Sequence, residues 1–423
     1  MILMRFSTKK LLLNSFVLYT ITELLSKALP FLVFPLVITY LQPDDFGFVT
    51  NFNVLIQIFG AFVGLHLGTY ITATYYKSSE EEFKNIISST LIINFIISCF
   101  VVLVIIFSYN LIFKLTAIPL KYQIYSIITV LSTSIFSLFT TLLRLKENPK
   151  FFSLFVLLNV FFSTALTFIL LHFFKLGLEG RILSIFMPAL FFGFISLYYF
   201  ISNKILVLNF NKVEFYNQLR FGIPMLPHSL SFWLKTGFDR LIITNCIGLT
   251  ANGIFSIGAT FGSIFFILNT AFNNAYVPYL YKKLSDENLD SNDKIKIVKE
   301  LYIYVFVYLI IILLGYFVIS LIITNYFKNY MESLLYLPYF LIFNVFNVLY
   351  QIAVNFIFFK KKTKFLGLIT FSITLLQGVL ALILVKNYSL HGVGFSMVFA
   401  SFVLFCIVFF YSNRIYKMPW LLN

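Results

Sequence analysis

FWLKTGFDRLII, residues 232–243, is apolar enough to sit in a lipid bilayer, yet it carries Lys235, Asp239 and Arg240. A charge at the centre of a bilayer costs about 3 kcal/mol on insertion scales. Such residues persist where they pair with one another, or where they face a bundle interior or a wet cavity. A single span offers neither, so this stretch requires several helices packed around it. The rest of the chain supplies them. Hydrophobic residues make up 60% of the 423 and charged residues only 11%, against about 25% charged in a soluble domain. Apolar runs long enough to cross a bilayer recur from end to end, which places the chain among all-α, polytopic membrane proteins.

Hydropathy and breakers together predict twelve spans, in two groups of six. The first group lies near 15–40, 46–75, 86–108, 120–143, 151–173 and 181–201. The second lies near 223–247, 252–280, 300–323, 333–359, 364–385 and 391–412. The opening MILMRFSTKKLLLNSFVLYT resembles a signal peptide, but its apolar run is long and lacks a small-residue cleavage site, so it reads as an uncleaved first span. The widest stretch between groups, 202–221, divides a first bundle (1–201) from a second (222–423), and its short amphipathic piece is expected along the cytoplasmic interface. Basic residues give the orientation. If both termini lie on one side, that side collects 22 of the 31 lysines and arginines, the other side six, and three fall within spans. The positive-inside rule then puts both termini in the cytoplasm. The net charge of +15 is explained by these loops, so nucleic-acid binding is not indicated.

Absences narrow the chemistry. Cys99, Cys246 and Cys406 are far apart and form no CxxC or Cys/His cluster, so neither a disulfide framework nor a zinc site is supported. No GxxxxGK[ST], H-E-x-x-H or G-x-S-x-G occurs. The outward loops are too short for the domain that a sugar polymerase or ligase generally needs. Neither an enzyme nor a cofactor is expected.

The charges within spans carry the functional reading. Glu23 and Lys27, and Lys235 and Asp239, are each four apart, so each pair can meet on one helix face. Arg240 lies about 140° around the helix from Lys235 and points elsewhere. Two acids face three bases. The same spans hold Pro30 and Pro35, and Gly222, Pro224, Pro227 and Gly237; proline removes a ladder hydrogen bond and kinks a helix. Three stripes follow helical spacing: Asn53, Gln57, Gly60, Gly64 and Gly68; Gly258, Gly262, Asn269 and Asn273; and Asn344, Asn347, Gln351 and Asn355. The glycines read as close-packing faces. The amides fit either the lining of a polar cavity or bonds between helices. His66 reads as a packing histidine. A weak repeat places LQPDDFGF in the first half against GLTANGIF in the second, matching Gly47 with Gly253; paired halves around a central site are a common transporter plan.

Two segments, SKALPFLVFPLVITYLQPDDFGFVTNF (26–52) and FGIPMLPHSLSFWLKTGFDRLIITNCIGLTANGIFSIGATFGSIF (221–265), carry a family resemblance. The second holds Gly222-Ile223-Pro224, then Asp239-Arg240, then Gly248 and Gly253 to Ser256. With the span count, these resemble polysaccharide flippases of the O-antigen type, in the multidrug, oligosaccharidyl-lipid and polysaccharide exporter superfamily. The resemblance implies two six-helix bundles forming a V in a bacterial inner membrane. It implies movement of an undecaprenyl-diphosphate-linked oligosaccharide from the cytoplasmic to the periplasmic leaflet by alternating access, with a polysaccharide polymerase and a chain-length regulator as candidate partners. On that reading Lys27, Lys235 and Arg240, the only bases within spans, meet the diphosphate. Glu23 and Asp239 hold those bases or couple to ions, and Asn53, Gln57, Asn273, Asn344, Asn347, Gln351 and Asn355 line the polar cavity. The alternatives are a small-molecule exporter of the same fold and, less favoured, a membrane polymerase or ligase.

Overall fold

A computed structural model gives the fold. The described residues are 2–207, 211–286, 290–362 and 364–421, and the side chains at 2–16, 228, 231, 232, 235, 236 and 364 lie outside the description. Among the described residues every regular element is helical. In chain order the α-helices are α1 (Ile2–Tyr40), α2 (Pro43–Gly64), α3 (Leu67–Thr74), α4 (Glu80–Thr116), α5 (Leu120–Leu145), α6 (Pro149–Phe168) and α7 (Gly177–Ser202). They continue with α8 (Lys212–Gly222), α9 (Leu226–Cys246), α10 (Leu249–Leu284), α11 (Ser291–Tyr326), α12 (Ser333–Phe359) and α13 (Lys364–Ile415).

Polar residues between the apolar runs start these helices by satisfying first-turn amides. Ser79 and Glu82 form a reciprocal box at the start of α4, with Ser79 N–H donating to Glu82 Oε2 at 2.8 Å. Asn148 accepts from Phe151 N–H at α6, Asn211 from Glu214 N–H at α8 and Asp290 from Asp293 N–H at α11. Pro43 and Pro149 stand in the first turns of α2 and α6, where a missing N–H is harmless. The matched glycines of the weak repeat fall in one register: Gly47 and Gly253 are each the fifth residue of their helix, and each is buried.

Ten helices are long and apolar enough to cross a membrane among the described residues. One of them, α13, holds two of the twelve expected spans. Its backbone leaves the helix at Ser389 (φ 53°, ψ −137°), and a Cβ on Gly392 would lie 2.4 Å from the carbonyl oxygen of Leu384. Eight residues along a straight helix are about 12 Å apart, so the chain reverses here. Leu366 and Ile373 accordingly share one core with Ala400, Leu404 and Val408. The seventh expected span falls on α9, which is not among those ten helices.

The second span departs from expectation. It is two helices rather than one, broken at Leu65 (φ 41°, ψ 27°) and His66 (φ 53°, ψ 21°). Two successive left-handed non-glycine residues are rare and strained, and neither residue advertises the break. The linker helix α8 explains part of it. α8 is seated on α3 and α4: Gln218, fully buried, donates to Ile86 O at 2.9 Å and accepts from Thr90 Oγ1 at 2.9 Å. At its end Gly222 meets the broken turn so closely that a Cβ would stand 2.8 Å from Leu65 O. The glycine of the G-I-P motif is thus a contact residue.

The chain divides into two compact units, Met1–Trp233 and Leu234–Asn423, with the division inside α9. The first unit packs Ile87, Phe139, Leu142 and Phe200 in its core. The second has one core around Phe255, Phe340 and Val393 and another around Ala353, Val354 and Val408.

Candidate functional site

The charged residues of the spans sit in three settings. Lys27 Nζ lies 3.6 Å from Glu23 Oε2 on α1, and both side chains are more than half exposed. The side chain of Lys235 falls outside the described residues, so its expected pairing with Asp239 does too. Asp239 is buried and its Oδ2 accepts from Gln377 Nε2 at 2.8 Å, across from α9 to α13. Gln377 borders a small cavity of about 20 Å³ shared with Asn347, Thr374 and Ser401, room for about one water. Arg240 stacks its guanidinium over Phe255, 5.1 Å from Cζ to the ring centroid, and its buried Nη1 has no hydrogen-bond partner among the described residues. A buried guanidinium donor without an acceptor is costly.

The amide stripe of α12 turns to α10. Asn344 is buried and its Nδ2 donates to Gly262 O at 3.0 Å. Asn347 Oδ1 accepts from Asn269 Nδ2 at 3.4 Å and from Gln351 Nε2 at 3.2 Å. Asn355 Nδ2 donates to Asn273 Oδ1 at 2.9 Å. These amides join two helices, as polar side chains in membranes commonly do. Of the two readings open for them, bonding between helices is the one this geometry favours.

Glycines with the same spacing play opposite parts in the two units. In α10 a Cβ on Gly262 would lie 2.7 Å from Phe340 Cβ, and one on Gly258 would lie 3.2 Å from the Phe340 ring, so these form a packing face. In α2 and α3 nothing among the described residues stands within 4 Å of a Cβ on Gly60, Gly64 or Gly68. The close-packing expected of these three is therefore corrected. They border a cavity of about 510 Å³ between α2/α3 and α5, and Asn53 (half-buried) and Gln57 (exposed) extend their stripe along α2.

The sequence signature of the polysaccharide biosynthesis proteins matches residues 12–284 of this chain. The chain belongs to that family. A relative of this polysaccharide biosynthesis protein, protein 1 of the Lsg locus of Haemophilus influenzae, is 22% identical over 415 residues, covering 95% of this chain and 98% of its own length. A membrane protein of the same organism is 22% identical over 356 residues, covering 82% of this chain and 84% of its own. Two solved structures share the fold. The lipid II flippase MurJ, inward closed, has a TM-score of 0.72 at 16% identity over 94% of this chain and 87% of its own. An inward-facing multidrug resistance MATE transporter of the MOP superfamily has 0.68 at 15% over 92% and 94%.

Two further bases of this polysaccharide biosynthesis protein lie near helix ends. Arg181 lies within α7, where Nη1 donates to Thr167 Oγ1 at 3.1 Å and to Ser184 Oγ at 3.2 Å, while its buried Nε has no partner among the described residues. Arg144, near the end of α5, is exposed and borders the 510 Å³ cavity. A signal for Arg144 existed: Ser137, Thr141 and Arg144 are spaced four and three, one helical face. No sequence signal marked Arg181 as buried.

Proposed function

We propose that this chain moves an undecaprenyl-diphosphate-linked oligosaccharide from the cytoplasmic to the periplasmic leaflet of a bacterial inner membrane, by alternating access and without covalent chemistry. The observation that carries this reading is Arg240. It is a guanidinium on α9 of a polysaccharide biosynthesis protein, stacked over Phe255, and its Nη1 has no acceptor among the described residues. A diphosphate cannot cross hydrocarbon unless its charge is met, and the planar fork of arginine suits phosphate oxygens better than a lysine. Lys27 and Lys235 add positive charge, and Glu23 and Asp239 hold the bases or couple to an ion. An exporter of organic cations would favour surplus acids, whereas bases outnumber acids within these spans.

Cells lacking the chain are expected to keep making the lipid-linked repeat and to accumulate it on the cytoplasmic leaflet. Protection of the repeat from a periplasmic glycosidase measures this; normal arrival at the periplasmic side would reject the reading. The proposed orientation puts the basic loops inside. Alkaline phosphatase fused near Lys362 should therefore be inactive and a fusion near Asn387 active, and the reverse pattern would overturn the layout.

A further inference from the structure

We propose that the cavity between α2/α3 and α5 is a saccharide subsite, holding the hydroxyl-rich part of the transported headgroup against bare helix backbone. Its volume, about 510 Å³, lies within the range of small-molecule sites. Its chemistry is oxygen recognition. Thr69, Thr72, Ser137 and Thr141 bring hydroxyls, Arg144 brings charged donors, and no described lining residue is acidic. Arg144 stacks over Phe152, 5.4 Å from Cζ to the ring centroid, and among the described residues makes one weak hydrogen bond, Nη2 to Thr141 Oγ1 at 3.4 Å, which leaves other guanidinium donors for a ligand.

The opposite wall is backbone. Gly60, Gly64 and Gly68 present no side chain, and among the described residues nothing stands within 4 Å in front of each. Glycine permits a ligand to approach the main chain closely, and each helical carbonyl keeps a second lone pair able to accept from a sugar hydroxyl. Between Gly64 and Gly68 the helix is interrupted by the left-handed pair Leu65 and His66. Broken helices at membrane depth are tolerated where they line a polar cavity, and in transporters they mark binding sites. A packing face would show the contacts that Gly258 and Gly262 show, and among the described residues this face has none.

The occupant rests on the transport reading; the cavity and its chemistry do not. The test is a series at one position, Gly64→Ala, Gly64→Val and Gly64→Leu, with Gly68→Leu as a second site, made in the full chain. Two quantities are measured: the melting temperature of the purified protein and the surface polysaccharide of cells carrying each variant. Because no described residue opposes a Cβ there, the melting temperature should stay within about 2 °C of the parent. Export should fall stepwise with side-chain volume, by about tenfold at Leu, with the repeat stalled on the cytoplasmic leaflet. Undiminished export at unchanged melting temperature would show that no substrate uses the space. A fall in melting temperature that tracks the loss of export across the series would show a packing face. Either result overturns the subsite. If deletion of the whole chain stalls the repeat while Gly64→Leu exports it, the subsite alone fails. If deletion leaves the repeat crossing normally, the transport reading fails with it.

Discussion

Arg240→Ala is expected to cut export of the lipid-linked saccharide by about 10- to 150-fold, with the protein still made and inserted. The size follows from hydrogen bonds to charged groups, which contribute about 1.5–3 kcal/mol, with 1.4 kcal/mol for each factor of ten. The neighbour complicates the substitution. Removing Arg240 leaves the buried Asp239 carboxylate without its adjacent cation, and an uncompensated buried charge is destabilising by about 3–5 kcal/mol. The double variant Arg240→Ala with Asp239→Asn separates the two effects. The amide neutralises residue 239 and can still bond Gln377, which now donates to Asp239 Oδ2 at 2.8 Å. The double variant should recover the protein level and not the export. Arg240→Lys should restore only part of it, because a point charge replaces a planar fork. Full export from a stable Arg240→Ala protein would remove Arg240 from the proposed site.

Gly262→Leu is expected to have the largest effect on stability. A Cβ there would lie 2.7 Å from Phe340 Cβ, and Gly262 O is the acceptor for Asn344 Nδ2 at 3.0 Å. Phe340 cannot retreat freely, since it packs on Phe255 with ring centroids 4.8 Å apart. Overpacking a tight site costs about 1–3 kcal/mol. Forcing α10 from α12 would also strain the three amide links, each worth about 0.6 kcal/mol on average in a membrane protein. Together these, about 3–5 kcal/mol, correspond to a fall in melting temperature of roughly 6–19 °C for a unit of this size. Unchanged melting of the purified Gly262→Leu protein would mean that α10 and α12 do not meet through this face.

The contrast between Gly262 and Gly64 shows how far the sequence could be read. Both belong to stripes of small residues at helical spacing, and spacing alone assigns both to packing. Spacing states which residues share a face and is silent about what stands opposite. Phe340 stands opposite one; open space lies before the other. The amides of α12 make the same point, since their stripe was legible and their bonds to α10 were not. Hydropathy locates Arg144 and Arg181 at the ends of apolar runs and is silent about what each side chain meets there. The break at Leu65 and His66 escaped notice because neither glycine nor proline marks it, and the strain there is sustained by what packs around it, Gly222 included.

What the sequence by itself determined was the membrane class, the helical spans, the charges within them and the resemblance to polysaccharide flippases. These rest on hydrophobicity, 3.6-residue periodicity and local motifs, each a property of neighbours along the chain. What only the tertiary structure decided was the partner of each face: α12 amides bonded to α10, Asp239 held by Gln377, and a glycine wall left open beside Arg144. Those outcomes depend on residues distant in sequence, because a buried polar group or a bare backbone takes its meaning from whatever is brought against it.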